Sequence, residues 1–331
     1  HMHNPKDFEK SIGRVIGQIF GNDVKPANIR RLSGGASQET WLISTEAQPV
    51  ILRRVPHGIS KPANSTSITM QTEAALVEAA ANAGVKAPKV LYTLTAADGL
   101  GDGFIMDYVD GETIARPILR DPEFADAREN LSRQCGEELA KIHALDIRSI
   151  DGVSRMSGLA QIDQYEAIYR DMGVSRPIFE LALQWLRQTA PQPLADVLVH
   201  GDFRLGNLMV KSSGLAAVLD WELAHIGDPR EDLGWICVNS WRFGKTQNRV
   251  GGFGTIEPML EAYNQRRGLN LQPQDIDWWE ALGIWKWGIM CLIMYEAFRS
   301  RSDESVERAA IGRRVSETEI DLINLLERAN A

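Results

Sequence analysis

The sequence predicts an α+β fold in two lobes, a small N-terminal α+β lobe followed by a larger, mainly helical C-terminal lobe. Three observations predict it. The 331 residues allow about two domains at roughly 150 residues each. Up to Gly111 the apolar spacing is mostly that of short strands; beyond it, helical spacing dominates. The pair Asp110-Gly111 ends the last strand of the first part. The expected lobes are residues 4–110 and 111–331, with His1-Met2-His3 read as a tag remnant.

In the first lobe, Phe8, Ile12, Val15, Ile16 and Ile19 recur at helical spacing, and Gly21 closes that helix. Strands are predicted over 29–32, 40–44 and 50–55, the first two joined by Ser33-Gly34-Gly35-Ala36-Ser37. Residues 56–66, rich in Pro, Ser, Gly and Asn, predict a mobile loop. A helix over 68–83 ends at Gly84, and strands over 89–95 and 103–109 flank the turn Asp98-Gly99.

In the second lobe, helices are predicted over 125–145, 161–172 and 177–189. A β-rich patch follows at 197–200, 208–211 and 216–219. Further helices are predicted over 229–240, 256–267, 276–299 and 316–328. The most apolar stretch, 278–298, contains Glu280, Lys286 and Glu296, and its longest charge-free run is 287–295. A membrane span needs about 18 apolar residues, so this stretch is expected to be a core helix and no membrane partner is expected.

The formal charge is 36 − 44 = −8. A non-specific nucleic-acid binder needs an excess of positive charge, so no nucleic-acid partner is expected. Apolar content of 44% with 24% charged residues fits a packed chain. Cys135, Cys237 and Cys291 lie far apart, without metal-ligand spacing or an even disulfide framework, which predicts a cytoplasmic setting.

The most informative stretch is Leu198-Val199-His200-Gly201-Asp202-Phe203-Arg204-Leu205-Gly206-Asn207-Leu208-Met209-Val210. An apolar strand runs into His-Gly-Asp; Asn207 follows Asp202 by five residues, and Asp220 follows Asn207 by thirteen, at the end of another apolar strand. Two carboxylates and an amide on neighbouring loop ends suit phosphoryl transfer. Mg²⁺ takes a few oxygen ligands and fills its shell with water and phosphate oxygens, which Asn207 and Asp220 can begin. Asp202 is left to position an attacking hydroxyl and accept its proton. Arg204 is placed to stabilise charge on the transferred phosphoryl. His200, after an apolar strand, is expected to support the loop and not to react. No P-loop, dinucleotide fingerprint, Gly-x-Ser-x-Gly elbow or His-Glu-x-x-His motif occurs.

His200, Gly201, Asp202 and Asn207, with Asp220 after the next strand, resemble the catalytic pattern of the aminoglycoside phosphotransferase-like family. The resemblance spans roughly residues 29–262 and implies a protein-kinase-like fold, ATP and Mg²⁺ as cofactors, and a small-molecule hydroxyl substrate. The sequence Leu219-Asp220-Trp221-Glu222 stands where protein kinases carry Asp-Phe-Gly. In Gly227-Asp228-Pro229-Arg230-Glu231-Asp232, Asp232 is implied to support the catalytic loop. The narrower similarity is to the subgroup fused to, or encoded beside, acyl-CoA dehydrogenases. It rests on residues 32–40, Leu52-Arg53-Arg54, and 219–229.

The same resemblance gives nucleotide-binding roles in the small lobe. Gly34, Gly35 and Ser37 would let backbone N–H groups approach the phosphates. Arg53 stands where related kinases carry a Lys on the α- and β-phosphates; strand alternation turns either Arg53 or Arg54 inward, and puts Arg53 with Ile51 and Val55. Glu73 would pair with that cation, and the backbone of Asp107 and Val109 would meet the adenine edge. Gly201 replaces the Arg that answers a phosphorylated loop in protein kinases, which implies a permanently assembled site. The acceptor stays open between a hydroxyacyl-CoA or related catabolic intermediate and an aminoglycoside or macrolide antibiotic. A nucleotide-binding pseudokinase scaffold is the third reading, suggested by the Arg at position 53. The Trp-rich C-terminal helices are either core or a ligand platform.

Overall fold

The structure, a computed structural model, describes residues 4–34, 38–59, 66–300 and 306–330. The predicted glycine-rich turn at Gly35-Ala36-Ser37 and part of the predicted mobile loop lie outside them.

The chain divides into two compact units. The first is His1–Gly111 with Arg148–Val153 and Ala216–Ala224; the second is Glu112–Ile147, Ser154–Leu215 and His225–Ala331. Two segments from the later chain thus fold with the first unit, which a single cut in the sequence does not anticipate.

The first unit holds α1 (Pro5–Phe20), β1 (Pro26–Gly34), β2 (Glu39–Thr45), β3 (Val50–Val55), α2 (Met70–Asn82), β4 (Val90–Thr93) and β5 (Asp102–Asp107). The strands form one antiparallel sheet in the order β1-β2-β3-β5-β4. Its two faces have different partners. Ile12, Val15 and Ile16 of α1 cluster with Ile43, Val50, Leu52 and Ile105. Met70 and Ala74 of α2 cluster with Val55 and Phe104. Burying each such aliphatic side chain contributes about 1.5–3 kcal/mol. Alternation along β3 therefore sends Leu52 and Arg54 toward α1, and Arg53 and Val55 toward α2.

The second unit begins with α3 (Ala115–Arg120), α4 (Ala125–His143), α5 (Gly158–Asp171), α6 (Pro177–Gln188), β6 (Val197–Val199) and β7 (Leu208–Lys211). The chain continues through β8 (Gly214–Val218), β9 (His225–Gly227), α7 (Arg230–Trp235), α8 (Ile256–Arg267), α9 (Asp277–Ser300) and α10 (Val306–Ala329). The end of β8 belongs to the first unit, where the Val218 N–H donates to the carbonyl of Lys86 at 2.7 Å. β6 and β9 pair antiparallel, with Val199 opposite His225. α9 is a core helix: Trp285, Ile289 and Leu292 are fully buried with Tyr169, Phe179 and Leu322.

One predicted element needs correction and one strand is unanticipated. The helix expected over 229–240 stops at Trp235, and a 3-10 turn over Asn239–Arg242 follows; Asn239 and Ser240 favour turns over helix. His225 sits in β9, a strand absent from the predicted elements, and hydrogen-bonds Glu231 at 2.9 Å.

Candidate active site

In the first unit, α2 starts with Thr69 as N-cap, its hydroxyl accepting from the N–H of Thr72 at 3.1 Å. That start puts Glu73 in the first turn, buried and facing β3. Nε of Arg53 lies 2.9 Å from Oε2 of Glu73, and Nη2 lies 2.9 Å from Oδ1 of Asp220 and 3.7 Å from Glu222. Of the two arginines on β3, Arg53 is thus the one joined to Glu73 and Asp220. Arg54 pairs with Glu39 at 3.1 Å and lies 4.5 Å over the ring of Phe8.

Burial pushes the Glu73 carboxyl above its ordinary range against the pull of Arg53, and the negative charges of Asp220 and Glu222 add to it. Burial works against the Arg53 charge, yet the three carboxylates around it more than compensate. Asp220 has φ = 58°, a left-handed conformation that Asp tolerates better than most residues. The next residue, Trp221, is buried, with its indole N–H donating to the carbonyl of Val218 at 3.1 Å. Its anchoring holds the turn that presents the Asp220 side chain.

At the end of β5, the N–H of Asp107 donates to the carbonyl of Lys89 at 2.9 Å, and its carboxylate accepts from Gln48 at 2.8 Å. The N–H of Val109 makes no hydrogen bond among the described residues. Gly34 is the last residue of β1, opposite Glu39; Gly35 and Ser37 lie outside the described residues.

In the second unit, β6 leads into His200-Gly201-Asp202. Gly201 has φ = +90°, which glycine adopts without strain. Oδ1 of Asp202 accepts from Nε of Arg204 at 3.0 Å and from the indole N–H of Trp235 at 3.0 Å. Oδ2 accepts from Nδ2 of Asn207 at 2.9 Å, and the same amide nitrogen donates to the Asp202 carbonyl at 2.9 Å. Arg204 also donates through Nη1 to the carbonyl of Leu205 at 3.0 Å, and its guanidinium lies 4.4 Å over the ring of Trp241. Nδ1 of His200 accepts from the N–H of Asp202 at 3.1 Å, so this buried ring braces the loop.

Asp232, on α7, ties that loop down. Its Oδ2 accepts from the His200 N–H at 2.9 Å and its Oδ1 from the Gly201 N–H at 3.0 Å. Nε2 of His143, the last residue of α4, lies 2.8 Å from Oδ2, and Nδ1 of the same ring meets the hydroxyl of Tyr263 at 2.8 Å. Burial raises the Asp232 pKa, but His143, His200 and the loop N–H groups together hold it below the ordinary carboxylate range.

The residues suit a hard divalent cation. Both donors of the Asn207 amide are used on Asp202, which leaves its oxygen without a hydrogen bond among the described residues. Oδ2 of Asp220 is likewise not engaged by Arg53. Among the described residues no group of three or more His, Cys, Asp or Glu side chains could hold a metal. Each of these oxygens is a ligand of the kind Mg²⁺ takes when phosphate and water fill the rest of its shell.

Sequence reasoning missed Trp235 and His143. Trp235 lies three residues after Asp232 on one helix, hence on the same face, and that spacing was the available signal. His143 had none, since its partners Asp232 and Tyr263 are 89 and 120 residues away.

The model of the "Phosphotransferase enzyme family" matches residues 28–276. Acyl-CoA dehydrogenase family member 10 of mouse is 29% identical over 293 residues, covering 84% of this chain and 27% of that protein. Family member 11 of chicken is 25% identical over 307 residues, covering 86% of this chain and 39% of that protein. The chain therefore spans well under half the length of these relatives. A 4-hydroxytryptamine kinase of Psilocybe cyanescens is 22% identical over 309 residues, covering 80% of this chain and 83% of that one. Among solved structures, one from Ralstonia eutropha described as an aminoglycoside phosphotransferase superposes with a TM-score of 0.75. The two are 21% identical, over 96% of this chain and 98% of that one. A choline/ethanolamine kinase family protein from Mesorhizobium loti gives 0.65 at 20% identity, over 96% and 94%. These likenesses establish the protein-kinase-like fold.

Proposed function

Because the chain belongs to the phosphotransferase enzyme family, we propose that it transfers the γ-phosphoryl group of ATP to a hydroxyl of a small molecule. The grip on Asp202 carries this reading. Oδ1 already accepts two hydrogen bonds, and Oδ2 accepts one. A carboxylate oxygen takes about two donors, so Oδ2 keeps room for a hydroxyl proton. The acceptor O–H donates to Oδ2; that bond breaks as the new O–P bond forms and the P–O bond to ADP breaks.

Asp220 and Asn207 are the oxygen ligands that this reading assigns to Mg²⁺. When bound, the ion neutralises charge on the phosphate oxygens. Arg53, held by Glu73, takes the α- and β-phosphates. Gly34, Gly35 and Ser37 border the triphosphate, and the Asp107 carbonyl and Val109 N–H meet the adenine edge. Nη2 of Arg204 makes no hydrogen bond among the described residues, so Arg204 both orients the base and has a donor left for the phosphoryl.

For the acceptor, a hydroxyacyl-CoA or related hydroxylated intermediate is the better fit. The relatives named as acyl-CoA dehydrogenases support it. The experiment is ADP release with Mg·ATP and a panel of hydroxyacyl-CoAs, hydroxy acids, aminoglycosides and macrolides. Stimulation by the acyl compounds is expected. Stimulation by aminoglycosides alone would return the antibiotic reading, and silence across the panel without metal-dependent ATP binding would end the catalytic reading.

A further inference from the structure

We propose that Lys286 is a positioning residue for Asp202, acting through the indole of Trp235. The inference rests on the reading of Asp202 as the base.

Lys286, partly buried, projects from α9 toward α5 and α7. Its ammonium donates to Oε1 of Gln161 on α5, and lies 5.7 Å from the ring centre of Tyr165 and 5.6 Å from that of Trp235. Gln161 is fixed in turn: its Nε2 donates to Oε1 of Glu231 at 2.6 Å, and that oxygen also meets Nε2 of His225 at 2.9 Å. On the other side, the Trp235 N–H holds Oδ1 of Asp202. One aromatic ring thus connects the ammonium to the base.

A partly buried ammonium with a single protein hydrogen bond gives up part of its hydration here. In water it would satisfy three donors, and only one has a protein acceptor among the described residues. Burial accordingly works against its charge. A Met of similar length would pack there without that cost. The charged and titratable groups that face Lys286 are Glu231 and Asp232 on α7, Asp202 on the catalytic loop and Tyr165 on α5. Glu231 and Asp232 have their own partners in His225, Gln161 and His143. The ammonium acts most strongly on Glu231, and the aromatic face it covers on the way to Asp202 is the indole of Trp235. A cation over the indole face attracts the ring and fixes its orientation. Through the ring it also strengthens the N–H as a donor, as linked polar groups strengthen one another.

The test follows the indole N–H signal of Trp235 by ¹⁵N NMR of the whole chain, assigned as the signal lost in Trp235→Phe. Asp202→Asn weakens the acceptor and is expected to move that signal upfield. Lys286→Met is expected to move it the same way by about half as much or more, and Lys286→Arg to leave it in place. An unmoved signal in Lys286→Met overturns the proposal. If that variant does not fold cooperatively, Gln161→Leu, which frees the ammonium, should move the signal likewise, and an unmoved signal there overturns it too. With an acceptor that stimulates ADP release, Lys286→Met should lower kcat about tenfold at unchanged KM for ATP; a change confined to KM contradicts a positioning role. Failure of the kinase reading looks different: Asp202→Asn would release ADP at the wild-type rate. Failure of this inference alone leaves Asp202→Asn inactive and the Trp235 signal indifferent to Lys286.

Discussion

Nε2 of His143 lies 2.8 Å from Oδ2 of Asp232, and the same carboxylate receives the backbone N–H groups of His200 and Gly201. His143, His200 and Asp232 are buried. The strand-to-loop step that delivers Asp202 is therefore held by one side chain of α7, itself held from α4.

Replacing Asp232 by Asn should cost about 3–5 kcal/mol of stability at neutral pH, the range for breaking a buried pair. Denaturant titration measures it. Because the Asp232 pKa is depressed below 3.8 in the folded chain, its contribution is present above that value and lost as pH falls through the folded pKa. The difference between the two proteins should therefore shrink in acid. A difference that stays constant down to the acid unfolding region would contradict the pairing.

Arg53→Met removes the cation shared by Glu73, Asp220 and Glu222. Stability should fall by about 3–5 kcal/mol at pH 8. The loss should be smaller at pH 6, where Glu73, whose pKa is already raised, is protonated and needs no countercharge. ATP affinity, measured calorimetrically, should fall more than tenfold, roughly the 1.4 kcal/mol of one lost phosphate contact.

Arg204→Lys keeps the charge but loses the Nε donor to Asp202 and the flat contact with Trp241. The variant should fold normally and lose about tenfold in kcat. Steady-state kinetics with a stimulating acceptor decides this, and wild-type kcat would limit Arg204 to the surface of the loop.

Asp321 on α10 accepts from Asn239 at 2.9 Å, and burial pushes its carboxyl up to about 6. Its folded pKa lies above the unfolded value of 3.8, so stability declines as pH rises between the two. Asp321→Asn retains an acceptor for Asn239. It should leave stability unchanged near pH 4 and raise it at pH 8 by about 1–2 kcal/mol, allowing for solvent screening. Thermal melts at both pH values test this.

Much of this arrangement is legible in the sequence because it is local. His200, Gly201, Asp202, Asn207 and Asp220 fall within 21 residues, and strand alternation separates Arg53 from Arg54, leaving their contacts with Glu73 and Glu39 to tell which faces α2. Helix and strand positions follow from apolar periodicity, which is why α8 and β7 coincide with expectation. The supports of the loop are not legible, since they join distant segments through single side chains. Trp235 resembles any core tryptophan until its N–H is placed on Asp202. β9 is three residues long, too short for a period to register. Lys286 left one trace, a lone cation in an apolar helix, which the sequence cannot assign to a partner.

We propose Asp202 as the base of a phosphoryl transfer to a small hydroxylated acceptor. The most direct measurement is acceptor-stimulated ADP release with Mg·ATP, in wild type and Asp202→Ala. The predicted result is a loss of roughly 10²–10⁴-fold in the variant while Mg·ATP binding persists. Equal rates in the two proteins would contradict it.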